Sequence, residues 1–164
     1  MKLRQIFGDK SEVTALESNI CILPMEERHI DKICELEKVC FSSPWSKASL
    51  ESESKRKGSF FAVAEINGEV AGYAGTTSVL DEADVTNIAV FPQYRRLGIG
   101  RMLLRAQKEF CLENQMAFLT LEVREGNVAA IGLYQSEGFE QVGKRKGYYR
   151  DPVEDAILMT CFFK

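Results

Sequence analysis

Three groups of residues in this chain are spaced for chemistry. The first is Arg95-Arg96-Leu97-Gly98-Ile99-Gly100. Two arginines precede two close glycines, and Ile99, Met102, Leu103, Ala106 and Phe110 then recur at helical spacing. The first N–H groups of a helix lack partners and carry partial positive charge. Glycines let an anion approach them and arginines add full charge, so the pattern suits a phosphate. No Gly-Lys-Ser/Thr follows, which excludes a Walker-type loop, and the third glycine of a dinucleotide fingerprint would fall on Leu103. A tight turn before an ordinary surface helix gives the same letters.

The second group is Glu122 in Phe118-Leu-Thr-Leu-Glu122-Val123, an alternating run. Leu119, Leu121 and Val123 share one strand face; Thr120, Glu122 and Arg124 share the other. A carboxylate held partly out of water binds a proton more readily than a free one and can act as a general base near neutral pH. Pairing with Arg124 or a lysine is the structural alternative. The third group is Asn127-x-x-Ala130-x-x-Leu133-Tyr134, closed by Gly138-Phe139. Asn127 can cap a short helix. Tyr134 is either a core tyrosine or a proton donor to a leaving group.

Several elements must position these groups. Val85 to Val90 reads as the strand before the basic loop, ended by Pro92. Ile20 to Leu23 is a short strand and Glu26 to Phe41 a helix with Ile30, Ile33, Cys34, Leu36, Val39 and Cys40 on its apolar side. Pro44 breaks it, and Ser46 caps a second helix to about Lys57. Phe60 to Ile66 and Glu69 to Leu80 form a hairpin through Asn67-Gly68. Asp81 to Asp84 reads as an acidic turn. After the central helix come a strand at Ala117 to Val123, a helix from about Val128 to Glu137, and strands at Phe139 to Lys144 and Asp155 to Phe162, joined by Arg145 to Glu154. A hairpin meander followed by alternating strands and helices implies a mixed sheet with helices on its faces.

Composition narrows the classes. With 164 residues, 45% hydrophobic and 27% charged, the chain is one soluble domain with a sizeable core. A net charge of −3 argues against bulk nucleic-acid binding. Five cysteines without a Cys-x-x-Cys read as reduced thiols in a cytoplasmic protein. His29 is the only histidine and is expected at a helix surface, so no zinc site is expected. No apolar run has membrane-spanning length.

In order, these motifs resemble the GNAT N-acetyltransferase superfamily, over about Ile20 to Phe163. Further pieces resemble its bacterial RimI type: Phe41-Ser-Ser-Pro44-Trp45-Ser46, Leu80-Asp81-Glu82-Ala83, Asn87-Ile88-Ala89-Val90, Leu121-Glu122-Val123-Arg124, Tyr148-Tyr149 and Glu154-Asp155-Ala156-Ile157. The resemblance implies an α/β (α+β) fold: a mixed, mostly antiparallel sheet of about seven strands with helices on both faces, splayed between the fourth and fifth strands. Residues 1–19 depart from the pattern as an extension, expected to be flexible or loosely docked, before a transferase domain at 20–164.

The resemblance also implies acetyl-CoA as co-substrate, with no metal. Its pyrophosphate would meet Arg95, Arg96, Leu97, Gly98, Ile99, Gly100 and Arg101, its pantetheine the backbone of Ile88, Ala89 and Val90, and Asn127 one or the other. Glu122 would be the general base, directly or through water, and Tyr134 the general acid. Phe41 and Trp45, with Tyr148 and Tyr149, would wall a peptide groove, although a single tryptophan is as readily a core residue. Glu82 would lie on the substrate side and is the first alternative base. The implied partner is a protein N-terminus, the alanine of a small-subunit ribosomal protein, with no direct nucleic acid and no membrane; a monomer is the simpler expectation. Two other classes remain: a relative acting on a small amine or lysine side chain, and a non-catalytic acyl-CoA-binding module.

Overall fold

The computed structural model describes residues 19–164, and the expected extension lies almost wholly outside them. Seven strands and four helices follow in the order β1 Ile20–Pro24, α1 Ile30–Cys40, α2 Lys47–Ser54, β2 Ser59–Ile66, β3 Glu69–Val79, β4 Glu82–Val90, α3 Ile99–Glu113, β5 Phe118–Arg124, α4 Val128–Ser136, β6 Glu140–Arg150 and β7 Val153–Phe162. One sheet has the order β1-β2-β3-β4-β5-β7-β6. Neighbours are antiparallel except β4 and β5, which run parallel and pair only at Glu82–Phe118, Ala83–Leu119 and Asp84–Thr120. Beyond those pairs the two strands separate, so the carboxyl-terminal half of β4 has an open edge.

The helices divide the two faces. Ile99, Leu103 and Ala106 of α3 pack on Phe60, Ala62, Ala64, Ala71 and Ala74. Leu104 and Cys111 of α3 join Tyr134 of α4 on Ala83, Val85, Leu119, Leu121, Val123, Ile157 and Met159. On the other face, Ile33 and Leu36 of α1 and Leu50 of α2 cover Phe61, Val63, Tyr73 and Ala89. Along β5, Leu119, Leu121 and Val123 are buried while Thr120, Glu122 and Arg124 stay half-exposed.

Five local expectations change. The acidic turn is shorter, because Glu82 to Asp84 already pair with β3 and β5. The last hairpin is much longer: β6 runs to Arg150, so Tyr148 and Tyr149 sit on a strand and not in a loop. Register shifts between Gln141 and Gly143 and between Arg145 and Tyr149 break the two-residue alternation there, which hides the strand in the sequence. His29 is 1% exposed: its Nε2 lies 2.9 Å from Glu65 Oε1, and its Nδ1 accepts from the Glu26 N–H. The first helix starts as a 3-10 turn at Glu27–His29, and the second ends at Ser54.

Candidate active site

The basic loop ends in a helix start with free donors. Arg96 and Gly98 both have left-handed backbones, with φ of 67° and 79°. This folds the chain so that the first helical bond is Met102 N–H to Gly98 O, at 3.1 Å. Among the described residues, no main-chain acceptor meets the N–H groups from Arg96 to Arg101. A Cβ on Gly98 would have nothing within 4 Å, so the loop is open on that side. The Arg95 guanidinium donates to Val90 O at 3.2 Å and reaches Cys40 Sγ at 3.6 Å. Arg96 is exposed, Leu97 partly so, and Ile99 is buried as the helix anchor.

Arg101 is placed differently from its neighbours. Its side chain donates to Ser136 Oγ at 3.0 Å and to the buried Glu137 carboxylate, which Arg105 also grips at 3.0 Å. Burial raises the Glu137 proton affinity, but the hydrogen bonds from Arg105 and Arg101 overcome it and hold the carboxyl below its ordinary range. Arg101 therefore keeps a backbone amide without a main-chain acceptor among the described residues, while its side chain ties the start of α3 to α4. Leu133 of α4 lies 3.5 Å from where a Gly100 Cβ would be. Asn127 caps α4 by accepting the Ala130 N–H at 3.2 Å, which leaves its amide NH2 as the group able to meet a ligand.

The open edge of β4 lies beside this loop. Phe91 N–H donates to Ala71 O on β3 at 2.9 Å. Strand alternation then turns the backbone groups of Ile88 and Val90 toward the splay and those of Ala89 toward β3. A bulge just before Asn87, at Thr86, sets this phase.

Glu122 and Tyr134 come from β5 and the helix that follows it. The Glu122 side chain is 25% exposed, and its Oε1 lies 3.5 Å from Arg145 Nε of β6. Arg124, the partner considered from the sequence, instead bonds Glu154 at 3.2 Å and Pro152 O at 3.0 Å. Tyr134 is buried, tilted against Phe139 at 5.9 Å, and its hydroxyl makes no hydrogen bond among the described residues. Burial, and then Tyr149, push this phenol well above the ordinary range, so it holds its proton. Burial, then Tyr148, then Glu122, push Tyr149 up to about 12. Tyr149 stacks on Arg124 at 4.3 Å and meets Tyr148 edge-on at 5.1 Å.

Not every expected residue joins this group. Trp45 packs on Phe61 at 6.5 Å, and Phe41 and Trp45 both lie against the core under α1 and α2. Glu82 pairs with Phe118, four residues before Glu122, or about 13 Å along the strand. Asp84 is the nearer carboxylate, level with Thr120 on β5. Burial, then Glu82, raise its proton affinity, and Arg145 opposes them. Arg145 carries no signal in the sequence, because the irregular register of β6 conceals its face. A cleft of about 320 Å³ at Pro24, Met25, Ile30, Glu51 and Phe60 contains none of the expected site residues.

The Acetyltransferase (GNAT) family matches residues 30–139. The chain belongs to the GNAT acetyltransferase family. It is 39% identical over 145 residues to a Bacillus subtilis (strain 168) protein provisionally named a ribosomal protein bS18-alanine N-acetyltransferase, covering 88% of this chain and 96% of that one. It is also 39% identical over 141 residues to the Escherichia coli (strain K12) ribosomal protein bS18-alanine N-acetyltransferase, covering 85% and 95%. The crystal structure of the ribosomal-protein-S18-alanine N-acetyltransferase from Escherichia coli superposes with a TM-score of 0.81 at 36% identity, covering 88% of this chain and 94% of that one. Within the GNAT family the chain resembles the RimI type, and it is an N-acetyltransferase with the mixed, splayed sheet that the resemblance implied.

Proposed function

We propose that this GNAT enzyme transfers the acetyl group of acetyl-CoA to the α-amino group of a protein N-terminus, the N-terminal alanine of a small-subunit ribosomal protein. The observation that carries this is the half-exposed Glu122 on β5, together with the buried phenol of Tyr134 on the helix that follows, which holds its proton. The names of the two relatives at 39% identity support the substrate class.

The residues fit acetyl-CoA. The N–H groups of Arg96 to Arg101, with Arg95 and Arg96, would hold its phosphates, and the open β4 edge its pantetheine. Acetyl-CoA supplies a thioester carbonyl open to attack by a free amine. A protonated amine cannot attack, so Glu122 takes its proton, directly or through water. Tyr134 gives a proton to the departing sulfur. A backbone N–H of Ile88 or Val90 faces the splay, where it can meet negative charge on the carbonyl oxygen.

The test offers acetyl-CoA with short alanine-led peptides whose N-termini are free or blocked, read by mass spectrometry. Acetylation of the free amino group alone is expected. Acetylation of lysine in a blocked peptide would overturn the reading.

A further inference from the structure

Glu37 takes no part in the chemistry above, yet it is fully buried at 0% exposure. A carboxylate removed from water must be met by donors. Here they come from three separate parts of the chain. Its Oε1 accepts from the Tyr73 hydroxyl on β3 and from Asn87 Nδ2 on β4 at 2.7 Å. Its Oε2 accepts the main-chain N–H of Trp45, between α1 and α2, at 2.9 Å. Asn87 Nδ2 also lies 3.0 Å from the Tyr73 hydroxyl, so the sheet side is a closed cluster.

The two oxygens therefore face different parts of the protein. Oε1 faces the sheet where β4 bulges, immediately before Ile88. Oε2 faces the loop from Phe41 to Ser46. That loop is also fixed at its start, where Cys40 Sγ lies 3.7 Å from Val90 O. Both ends of the loop are thus tied to the half of β4 whose edge is open.

We propose that Glu37 is a positioning residue, which seats the Phe41–Ser46 loop against β4 with the rings of Phe41 and Trp45 on the core, so that its exposed residues Ser42 to Pro44 stand at a set distance from the open strand edge and border the path of the acceptor. This rests on the reading of transfer to a protein amino group. The donor set demands a carboxylate, because both oxygens must accept. Glutamine has nearly the same shape but one accepting oxygen. Kept on Tyr73 and Asn87, it turns its NH2 toward the Trp45 N–H, and the two donors repel. Glu37→Gln then frees the loop while the sheet side stays satisfied.

Trp45 is the only tryptophan, so its fluorescence reports this loop alone. The experiment compares wild type, Glu37→Gln and Tyr73→Phe by acrylamide quenching, thermal melting, acetyl-CoA calorimetry and peptide kinetics. Tyr73→Phe removes a sheet-side donor and leaves Trp45 held, so it matches the core damage without freeing the loop. For Glu37→Gln, quenching rises and peptide KM rises about tenfold, with kcat and acetyl-CoA Kd changed by less than about twofold. Tyr73→Phe keeps wild-type quenching and KM even if it melts earlier. Glu37→Asp draws the carboxylate back by one methylene and carries the same test if the glutamine variant does not fold. Unchanged quenching in the folded Glu37 variant, or equal KM changes in it and Tyr73→Phe, would overturn the proposal. If wild type acetylates no peptide, the functional reading falls and the quenching comparison alone decides the role of Glu37.

Discussion

Replacing Glu122 with glutamine separates chemistry from stability, because the structure makes the two effects differ in size. The residue's ionic partner is Arg145 at 3.5 Å, whose side chain is 55% exposed. Losing so exposed a pair costs less than about 1 kcal/mol. For a chain of this size that lowers Tm by no more than about 4 °C. Losing a general base lowers kcat/KM by about 10²–10⁴-fold, which is about 2.7–5.5 kcal/mol of barrier. The stability change is too small to imitate the chemical one. Raising the pH from about 7 to about 9 carries the α-amino group through its own titration and restores part of the loss, since free amine then needs no base. Acetyl-CoA affinity should stay as in wild type, because the proposed role of Glu122 is toward the amine and not the phosphates. Melting curves beside pH–rate profiles on an alanine-led peptide make the measurement. A stable Glu122→Gln enzyme with full activity at every pH would refute the reasoning. Asp84 would then be the next carboxylate to test, because it lies level with Thr120 while Glu82 pairs further back, at Phe118.

Tyr134→Phe should fold with undiminished stability, because the hydroxyl it removes makes no hydrogen bond among the described residues, yet turnover should fall by about 10²-fold or more. High pH should not rescue it, since what is missing is a proton donor; rescue parallel to that of Glu122→Gln would exclude Tyr134 as the acid. Gly98→Val places a branched side chain at φ of 79°, costing about 1–2 kcal/mol, and should weaken acetyl-CoA binding because the side chain stands before the helix-start amides. Calorimetry showing wild-type affinity in the folded variant would remove the loop from the cofactor site.

The site was unevenly legible in the sequence. The glycine loop was readable because a strand, a glycine break and a helix start are local in the chain, and their unpaired N–H groups follow from backbone geometry alone. The alternation of β5 likewise separated Glu122 from its buried neighbours. Glu37 carried a signal that periodicity could have caught: it stands four residues after Ile33, on the apolar side of α1, whereas Val39, expected on that side, is 56% exposed. The second half of β6, from Arg145 to Arg150, was not readable, since the irregular register there breaks the only pattern by which a strand announces itself.

Taken alone, the sequence determined the order and type of the elements and singled out the glycine loop, Glu122 and Tyr134 as candidates, because each reading depends on neighbours three or four positions away. Tertiary structure decided which of these meet. It paired Glu122 with Arg145 instead of Arg124, laid Tyr149 on Arg124, kept Glu82 apart and bound Trp45 to a buried carboxylate. Those contacts arise where strands far apart in the chain lie side by side, and their register depends on bulges and on the parting of β4 from β5, which no local spacing records.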